Sequence, residues 1–449
     1  MKTILGIDIG SSKTVAIIAD IDEEPIVTGV GISKSKGIRK GTITNIDQAA
    51  NSIKQAVTDA KRIAGTNVNK AIVSISTAYT KSTKSYGIVN IPSNEITISE
   101  INRAIQTALY NATIPNDYVI LQAIPYGFKV DDITDIEDPE GMSGSRLEVS
   151  IHIIIAQKSA IENIKKMLKI AGITIENIVL SSFASAIATL NEDEKEQGVA
   201  LVDIGATTSD LIIFKDNAVR WTEFVGVGSH HITNDLAMAL HTPISNSEDL
   251  KLNISKLDDE EIIEIPMIGD EENSQPVNIV TIKEIMYARI NETLMILNKL
   301  IEQSGMKEKL TGIVLTGGFT NLDHLREIAI PIFGNMSVRI AKPKELEGLF
   351  DNLKAPEFAT AIGLIIYALG QHSSYEIDSN RKFRSKYSIE EVNTTSNPIE
   401  ENFDLTNNDV NLDTNDENSE KEKIVSILDK KEEKVSGFQK ISTWFKHLF

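Results

Sequence analysis

The chain has 449 residues, which is more than one ordinary domain holds and predicts two or more domains. Its formal net charge of −19 argues against nucleic acid as a partner, and its lack of cysteine excludes disulfides and fits a cytoplasmic protein. Asp8 interrupts the first apolar run, so we expect no signal peptide, and no apolar stretch reaches the length of a membrane span. Any membrane contact is therefore expected to be peripheral.

One strand–turn–strand pattern occurs twice. Residues 4–18 and residues 200–214 each read as an apolar run, Asp-Ile-Gly, small hydroxyl residues and a second apolar run. Gly10 and Gly205 let the backbone turn sharply and come close to a ligand. The Ser and Thr residues that follow, together with the N–H groups of the turn, suit phosphate oxygens. Each hairpin is therefore a candidate phosphate-binding turn.

An aspartate ends the first strand of each hairpin, Asp8 in one and Asp203 in the other. Both are placed to face Mg²⁺ through water, because hard cations prefer oxygen ligands and Mg²⁺ keeps its hydration shell. One such turn is usually a plain hairpin. Two in one chain suggest two similar domains that close on the phosphates of one nucleotide from opposite sides.

Residues 1–81 read as strands followed by one helix. Asn45 begins the helix, since Asn side chains cap free N–H groups, and Gly65 fits its end. Between them, apolar residues recur at helical spacing from Ile53 to Ala64. The pattern then predicts a buried strand at 71–75.

Residues 82–160 read as a unit of their own. Its acidic loop is compatible with Ca²⁺ binding or with a solvated loop, and the lack of regular EF-hand spacing favours the solvated loop. The acidic residues are Asp131, Asp132, Asp135, Glu137 and Asp138. The pattern predicts a strand at 87–91, a helix from Ser99, a strand at 118–124, a loop at 131–146 and a strand at 147–156.

Residues 160–190 read as a helix, a short strand and a second helix, and the second hairpin then opens the next domain. In the stretch 226–235, a glycine turn is predicted to start a helix. The adjacent His230 and His231 raise the alternative of a metal site. Their side chains would point in different directions, which favours the turn. A polar, acidic insertion is predicted at 253–276.

A long amphipathic helix is predicted at 282–303. Residues 312–318 then read as a buried strand that ends in two glycines, which lets backbone pack against a flat ligand such as a nucleoside. Alone this motif is weak evidence, but after two phosphate-binding hairpins it supports a nucleotide site. The last folded helix is predicted at 359–369.

Composition changes after about residue 371. Residues 371–423 are dominated by Ser, Asn, Asp, Glu and Lys, and we expect them to be disordered. The charged chain continues to residue 436. A flexible segment of this length would have a mean reach of roughly 45 Å.

The final residues, 437–449, form an amphipathic pattern at 100° per residue. Membrane-surface helices have this composition, with aromatic residues on one face and basic residues on the other. The alternative is a tail helix docked on the protein's own core, and the long tether before it argues for the membrane. The residues expected at the membrane are Phe438, Lys440, Ile441, Trp444, Phe445, Lys446, Leu448 and Phe449.

Together these features resemble the actin/Hsp70/hexokinase ATPase superfamily and, within it, the FtsA family of bacterial cell-division proteins. The amphipathic C-terminal helix after an acidic linker is also an arrangement of that family. Beyond the shared superfamily motifs, the resemblance is carried by residues 40–46, 136–148, 191–194, 199–205 and 231–237.

The resemblance implies an α/β, actin-like fold of two RNase H-like lobes around a cleft for ATP and Mg²⁺. It implies division of the chain into residues 1–81 (first lobe, 1A), 82–160 (the FtsA-type inserted subdomain, 1C), 161–197 (return to the first lobe), 198–370 (second lobe, 2A/2B), 371–436 (disordered acidic linker) and 437–449 (amphipathic membrane-targeting helix).

The resemblance also assigns residues to the ligand. Asp8 and Asp203 would lie near Mg²⁺. The phosphate turns would comprise Gly10, Ser11, Ser12 and Lys13 in the first lobe, and Gly205, Thr207 and Thr208 in the second, with Gly228 also in the nucleotide site. Glu248 and Lys251 would contact ribose and base, and Thr316, Gly317 and Gly318 would pack on the adenosine.

Arg289 and Glu292 match an Arg-x-x-Glu pair that, by resemblance, meets the C-terminal peptide of the tubulin-like ring protein FtsZ. The alternative is an exposed ion pair on a helix, worth about 0.2–0.5 kcal/mol. The implied function is to tether the FtsZ ring to anionic lipids on the cytoplasmic face of the inner membrane at the division site. The family also polymerises, through the lobes and the 1C subdomain, and recruits later division proteins.

Three positions depart from the family pattern. Ala206 replaces a second glycine of the phosphate turn, and Ser181 stands where Hsp70-type ATPases carry a glutamate that organises the attacking water. Residues 76–80 differ from the expected Ser-Gly-x-His-Ile. The first two departures predict slow hydrolysis, with ATP acting mainly as a structural ligand.

Three other functions are weighed against this one. An actin-like filament for cell shape or plasmid segregation would need a different insertion at 82–160. A sugar kinase would need a catalytic Asp between the lobes, and no convincing candidate is visible. A chaperone would need a β domain after residue 370, where disorder is predicted instead.

Overall fold

Two sheets with the same strand order form the frame of the protein. The computed structural model describes residues 2–21, 24–370 and 372–385. The strands of the first sheet are β1 (Lys2–Ile9), β2 (Lys13–Ile21), β3 (Pro25–Lys34), β6 (Lys70–Ile75) and β11 (Thr174–Leu180). Its order is β11-β6-β1-β2-β3, in which β1, β2 and β3 are antiparallel neighbours and β6 and β11 run parallel to β1. Residues 4–7 and 14–19 are fully covered, as expected for strands packed on both faces.

The second sheet repeats this plan. Its strands are β12 (Val199–Ile204), β13 (Ser209–Lys215), β14 (Ala218–Val225), β17 (Gly312–Thr316) and β18 (Ser337–Ile340). Their order is β14-β13-β12-β17-β18, again with three antiparallel neighbours followed by two parallel strands. The repeated hairpin thus lies in two sheets of the same strand order.

Helices cover both faces of the first sheet. They are α1 (Ile46–Ala64), α3 (Lys158–Ile170), α4 (Ser181–Thr189) and α10 (Ala359–Ala368). The predicted ends of α1 are confirmed: Asn45 accepts the backbone N–H of Gln48 at 3.0 Å, and Gly65 has a left-handed φ of 65°. Helices α4 and α10 pack on each other and lie between the two sheets. Their backbones approach so closely that a Cβ on Gly363 would lie 1.9 Å from the carbonyl oxygen of Ala184.

The second sheet has its own helices and its own core. The helices are α5 (Glu192–Gln197), α6 (His230–Ala239), α7 (Ile244–Asn253), α8 (Ile279–Gln303) and α9 (Leu325–Ile332). The helix predicted at 282–303 begins at Ile279, where the side chain of Asn278 caps it. The polar insertion contains a hairpin of β15 (Ile262–Met267) and β16 (Asp270–Asn278). Helix α6 confirms that the glycine turn at 226–229 starts a helix.

A third sheet is built from strands inserted between β6 and α3 and from two short strands that follow α10. Its strands are β7 (Thr80–Asn90), β8 (Tyr118–Val130), β9 (Ile133–Ile136), β10 (Arg146–Gln157), β19 (Tyr375–Ile377) and β20 (Phe383–Ser385). The order is β20-β19-β8-β10-β7, and β9 pairs with β8. Helix α2 (Ile98–Asn111) packs on this sheet, and a short hairpin of β4 (Ile38–Arg39) and β5 (Thr42–Ile43) precedes α1. The strand β9 lies in the stretch predicted to be a loop.

The prediction of disorder from about residue 371 is wrong for residues 372–385. Strands β19 and β20 extend the inserted sheet, and Tyr375 and Ile377 are buried in its core at 1% and 0% exposure. These strands have only three residues each, so a composition averaged over a long polar stretch hides them. The rest of the predicted linker and the predicted terminal helix, with all its membrane residues, lie outside the described residues. No helix in the described part of the chain is long and apolar enough to cross a membrane.

Candidate nucleotide site

A cleft of about 510 Å³ lies between the first and second sheets. The turns of the two repeated hairpins face it, together with α7, α8 and the segment that follows β17. It brings together all of the predicted nucleotide residues except Thr207, Gly228 and Thr316. Those that line it are Asp8, Gly10, Ser11, Ser12, Lys13, Asp203, Gly205, Thr208, Glu248, Lys251, Gly317 and Gly318.

The two hairpins have the same register. Ile9 pairs with Thr14 in the first hairpin, as Ile204 pairs with Ser209 in the second. Each turn therefore stands at the same place relative to its aspartate, and the two turns reach the cleft from different sheets. This geometry suits a chain of phosphates held from two sides, with hydroxyls and turn N–H groups as donors.

In the first turn, Ser11 Oγ accepts the backbone N–H of Gly41 at 3.2 Å, which ties the turn to the β4–β5 hairpin. Lys13 Nζ forms an ion pair with Glu357 and lies 3.6 Å from the centre of the Phe358 ring. Gly10 is required sterically, because a Cβ there would lie 2.7 Å from the carbonyl oxygen of Lys13. The first turn thus offers hydroxyls and a cation to the cleft.

Gly228 packs closely against the backbone of the second turn. A Cβ on it would lie 2.6 Å from the carbonyl oxygen of Gly205, and the N–H of Ser229 donates to that same oxygen at 3.0 Å. Ala206 has a negative φ, so the turn does not need glycine there on conformational grounds. Thr207 Oγ1 is buried without a hydrogen-bond partner in the described structure.

Three carboxyl groups line the phosphate end of the cleft: those of Asp8 and Asp203, which are half-buried, and that of Asp210, which is buried. Burial, together with the charge of Asp203, raises the pKa of Asp8 to about 6, although Ser74 donates to Asp8 Oδ1 at 2.8 Å. Burial also raises the pKa of Asp203, although Ser185 donates to Asp203 Oδ2 at 2.5 Å. Carboxylates crowded in this way have the charge and the oxygen donors that a hydrated Mg²⁺ needs.

The structure adds Asp210, which the sequence did not predict as a site residue. Burial, followed by the charge of Asp203, raises the pKa of Asp210 to about 7. Its Oδ2 accepts from Ser181 at 3.3 Å, and its Oδ1 is buried with no partner in the described structure. A carboxyl group with this pKa can hold or release a proton near neutral pH. The sequence signal for Asp210 was a single acidic residue at the start of the apolar strand β13, which pairs with the strand that carries Asp203.

The residues present fit a divalent cation and a phosphate chain. Three carboxyl groups are crowded together there, and one carboxyl oxygen, Asp210 Oδ1, has no hydrogen-bond partner in the described structure. Among the residues that the structure describes, no three His, Asp or Glu side chains stand close enough together to hold a metal ion directly. Contact of Asp8 and Asp203 with Mg²⁺ through water stays a prediction.

At the other end of the cleft, Glu248 and Lys251 form a connected pair on α7. Lys251 Nζ donates to Glu248 Oε2 at 2.8 Å, and Thr233 Oγ1 donates to the same oxygen at 2.5 Å. Burial acts to raise the pKa of Glu248, but the hydrogen bonds from Lys251 and Thr233 outweigh it and hold the pKa below its ordinary value. Glu248 is therefore a preorganised anionic acceptor, suited to hydroxyl donors such as those of a ribose.

The two glycines after β17 have different roles. Gly317 has a φ of 87°, and a Cβ there would lie 2.4 Å from Asp203 Oδ1. A Cβ on Gly318 would make only an ordinary contact, 3.6 Å from Glu357 Cβ, and Gly318 lines the cleft. Thr316 lies beneath them, fully buried, and its hydroxyl donates to the carbonyl oxygens of Ala341 and Pro356. Its predicted contact with adenosine stays a prediction.

Arg289 and Glu292 lie on α8, where they form the predicted ion pair. Arg289 has a second partner that the sequence did not predict, Asp235 on α6. Arg289 Nη2 donates to Asp235 Oδ1 at 2.9 Å, and Arg289 Nε donates to Asp235 Oδ2. The side chains of Arg289 and Asp235 are 25% and 29% exposed, whereas that of Glu292 is 57% exposed. The guanidinium is thus held in place by Asp235 and covered on its outer side by Glu292.

Comparison with known proteins adds independent findings. A family model described as "Cell division protein FtsA" matches residues 200–363, and one described as "SHS2 domain inserted in FTSA" matches residues 77–155. The cell division protein FtsA of Helicobacter pylori (strain ATCC 700392 / 26695) is 39% identical over 420 residues, which is 85% of this chain and 85% of that protein. FtsA of Pseudomonas aeruginosa PAO1 is 35% identical over 380 residues, which is 83% of this chain and 90% of that protein.

Solved structures with a similar fold include a chain of a pilus complex. A chain of the "PilM-PilN type IV pilus biogenesis complex" matches with a TM-score of 0.59 and 16% identity, over 81% of this chain and 98% of that chain. At this identity the match bears on fold alone, and it agrees with the arrangement of two similar sheets around a cleft.

Proposed function

The chain belongs to the FtsA family of cell-division proteins and has an actin-like fold with the inserted domain of that family, and from this premise we propose that it tethers the FtsZ ring to the cytoplasmic face of the inner membrane. It does so as a peripheral protein that binds ATP with Mg²⁺ between its lobes, assembles with copies of itself and recruits later division proteins. The observation that carries the nucleotide part is the pair of equivalent hairpin turns that meet at one cleft.

Nucleotide binding rests on residues from both lobes. Ser11, Ser12 and Lys13 would hold the phosphates from the first lobe, and Thr208 from the second. Asp8 and Asp203 would hold Mg²⁺ through water, and this ion would neutralise phosphate charge. Because both lobes contribute, ligand binding would favour the closed cleft. Turnover is proposed to be slow, since Ser181 stands where related ATPases carry a glutamate.

Docking of FtsZ is proposed at Arg289. The ion pair with Asp235 fixes the direction of the guanidinium, and a fixed guanidinium suits bidentate binding of a carboxylate. Glu292 is the more exposed of the two acids, so a carboxylate of the FtsZ C-terminal peptide would replace Glu292 and leave Asp235 in place. Residues 437–449 are proposed as the anchor to anionic lipids, on their amphipathic sequence.

The experiment is recruitment to vesicles. The full chain would be mixed with anionic vesicles, ATP, Mg²⁺ and fluorescent FtsZ from the same cell, and the FtsZ that sediments with the vesicles would be measured. Test samples carry Arg289→Ala or lack residues 437–449. Arg62→Ala is the matched control, because Arg62 is 75% exposed and pairs with Asp59 on α1, away from the proposed site.

The proposal expects FtsZ on the vesicles with the natural chain and with Arg62→Ala, and loss of FtsZ with either test variant. Arg289→Ala should still sediment with the vesicles, whereas the shortened chain should not. If the natural chain reaches the vesicles and FtsZ stays in solution, tethering is refuted. If the shortened chain still sediments, the anchor has been misassigned.

A further inference from the structure

The phosphate-turn lysine is already engaged by a carboxylate inside the cleft. Lys13 Nζ forms an ion pair with Glu357 Oε1. The other oxygen, Oε2, accepts the side-chain N–H of Asn321 at 2.8 Å. All three residues line the cleft. Glu357 therefore links the first phosphate turn to the segment that carries the double glycine of the second lobe.

The position of Glu357 is fixed by its backbone. It lies in a single 3₁₀ turn at 356–358, just before α10. The carbonyl oxygen of the preceding Pro356 accepts the N–H of Gly317 at 3.3 Å and the hydroxyl of Thr316 at 3.3 Å. The carboxylate is thus held at the cleft by the second lobe, while the lysine that it contacts belongs to the first.

The ion pair between Lys13 and Glu357 is partly buried and opens on the cleft. The side chains of Lys13 and Glu357 are 26% and 33% exposed, so water screens the pair only in part. An anionic phosphate that enters the cleft meets a lysine whose charge is already balanced, and it also meets the negative charge of Glu357. Both effects weaken phosphate binding in proportion to the charge of the phosphate chain.

We propose that Glu357 is an internal competitor for Lys13 that lowers the affinity of the cleft for nucleotide polyphosphates and sets its preference among nucleotides of different phosphate number. The inference rests on the proposed nucleotide binding and deepens it. When a phosphate takes Lys13, Glu357 keeps its contact with Asn321 and loses its contact with the first lobe. Lys13 therefore gives up Glu357, which is held by the second lobe, and binds a phosphate that both turns contact.

The test is Glu357→Gln in the full chain. Gln keeps the shape of the side chain and an oxygen for Asn321, but it removes the charge that holds Lys13. The dissociation constants of fluorescent ATP and AMP analogues would be measured with Mg²⁺. We expect the variant to bind the ATP analogue about fivefold more tightly, as for loss of one partly screened charge pair, and the AMP analogue with a smaller change.

Two further variants test whether tighter binding of the ATP analogue comes from the release of Lys13. Glu327→Gln removes one negative charge from an exposed position on α9 outside the cleft, and it should leave both dissociation constants unchanged. In a Lys13→Met background, Glu357→Gln should lose most of its effect, because there is no lysine to release. Thermal unfolding of each variant would show that the fold is retained.

The outcomes separate this inference from the proposed function. If the natural chain binds no ATP analogue, the nucleotide part of the proposed function fails. If it binds the analogue and Glu357→Gln binds equally or more weakly, Glu357 is no competitor and the inference is overturned. Equal tightening for ATP and AMP analogues would also overturn it, since the effect would not depend on phosphate charge.

Discussion

Asp203 and Asp210 are direct partners across the hairpin of β12 and β13, and both line the cleft. In the first hairpin the residue opposite Asp8 is Val15. The second lobe therefore supplies two of the three crowded carboxyl groups. Because the charge of Asp203 raises the pKa of both Asp8 and Asp210, the site favours a cation most strongly when all three groups are ionised.

Asp210→Asn should stabilise the protein at pH 8 when no divalent cation is present. The pKa of Asp210 is raised from 3.8 to about 7 in the folded protein, so the folded state binds more protons than the unfolded state between these values. Stability contributed by the group is thus present below pH 3.8 and is lost as the pH rises through about 7. The variant should gain on the order of 2 kcal/mol at pH 8 and much less at pH 4.

Thermal or urea unfolding at the two pH values measures this gain, with Asp132→Asn as the control. Asp132 is an exposed acid at the tip of the β8–β9 hairpin. A variant that is less stable than the natural chain at pH 8 would show that the ionised carboxylate has a cationic partner within the fold.

Gly317→Ala should damage the site, and Gly318→Ala should be tolerated. Gly317 has a φ of 87° with a ψ of 168°, a conformation that only glycine adopts readily, and a Cβ would lie 2.4 Å from Asp203 Oδ1. A Cβ on Gly318 would lie 3.6 Å from Glu357 Cβ, which is an ordinary van der Waals contact. We expect a loss of about 2 kcal/mol or more for the first variant and weaker nucleotide binding.

Unfolding curves and titration with an ATP analogue would compare these two adjacent alanine variants. Since the substitutions are chemically identical, a general effect of adding a methyl group should appear in both. Equal stability of the two variants would contradict the role assigned to Gly317.

A chain that ends at Ser385 should keep the stability of the folded part, whereas a chain that ends at Gly370 should lose it. The shorter chain removes Tyr375 and Ile377 from the core of the inserted sheet, which costs about 3–6 kcal/mol for two large buried side chains. It also removes Glu376, which accepts from Gln122 at 2.8 Å and from Tyr367 at 2.7 Å, and so leaves buried donors unpaired.

The measurement is the melting temperature and the rate of proteolysis within the inserted domain for the two shortened chains. The longer chain controls for loss of the acidic segment itself. Matching melting temperatures for both would mean that β19 and β20 add nothing to the fold.

Local signals in the sequence predicted much of this structure. Asn45 and Gly65 mark the ends of α1 because capping and left-handed glycine are decided by neighbouring residues. The repeated Asp-Ile-Gly turn predicted the two lobes for the same reason, since a hairpin is closed within a few residues. Family resemblance supplied the cleft, and most of the nucleotide residues that it assigned line that cleft.

The features that were missed depend on contacts between distant parts of the chain. Ile377 pairs with Ala123, and no local pattern in three-residue strands can indicate that partner. Asp235 reaches Arg289 across two helices, and Glu357 reaches Lys13 across the cleft. Asp210 had a local signal, but its unpartnered oxygen and its raised pKa arise only from burial in the assembled site.

The strand pair β19–β20 also decides where mechanical load would enter the protein. Strand β20 is at the edge of the inserted sheet and is the last described strand, so a pull on the chain beyond Ser385 acts first on its pairing with β19. Behind it, β19 is fastened to β8 and, through Glu376, to Tyr367 of α10. Tension from a tether would thus enter the protein through the inserted sheet and through α10, which packs on the first sheet.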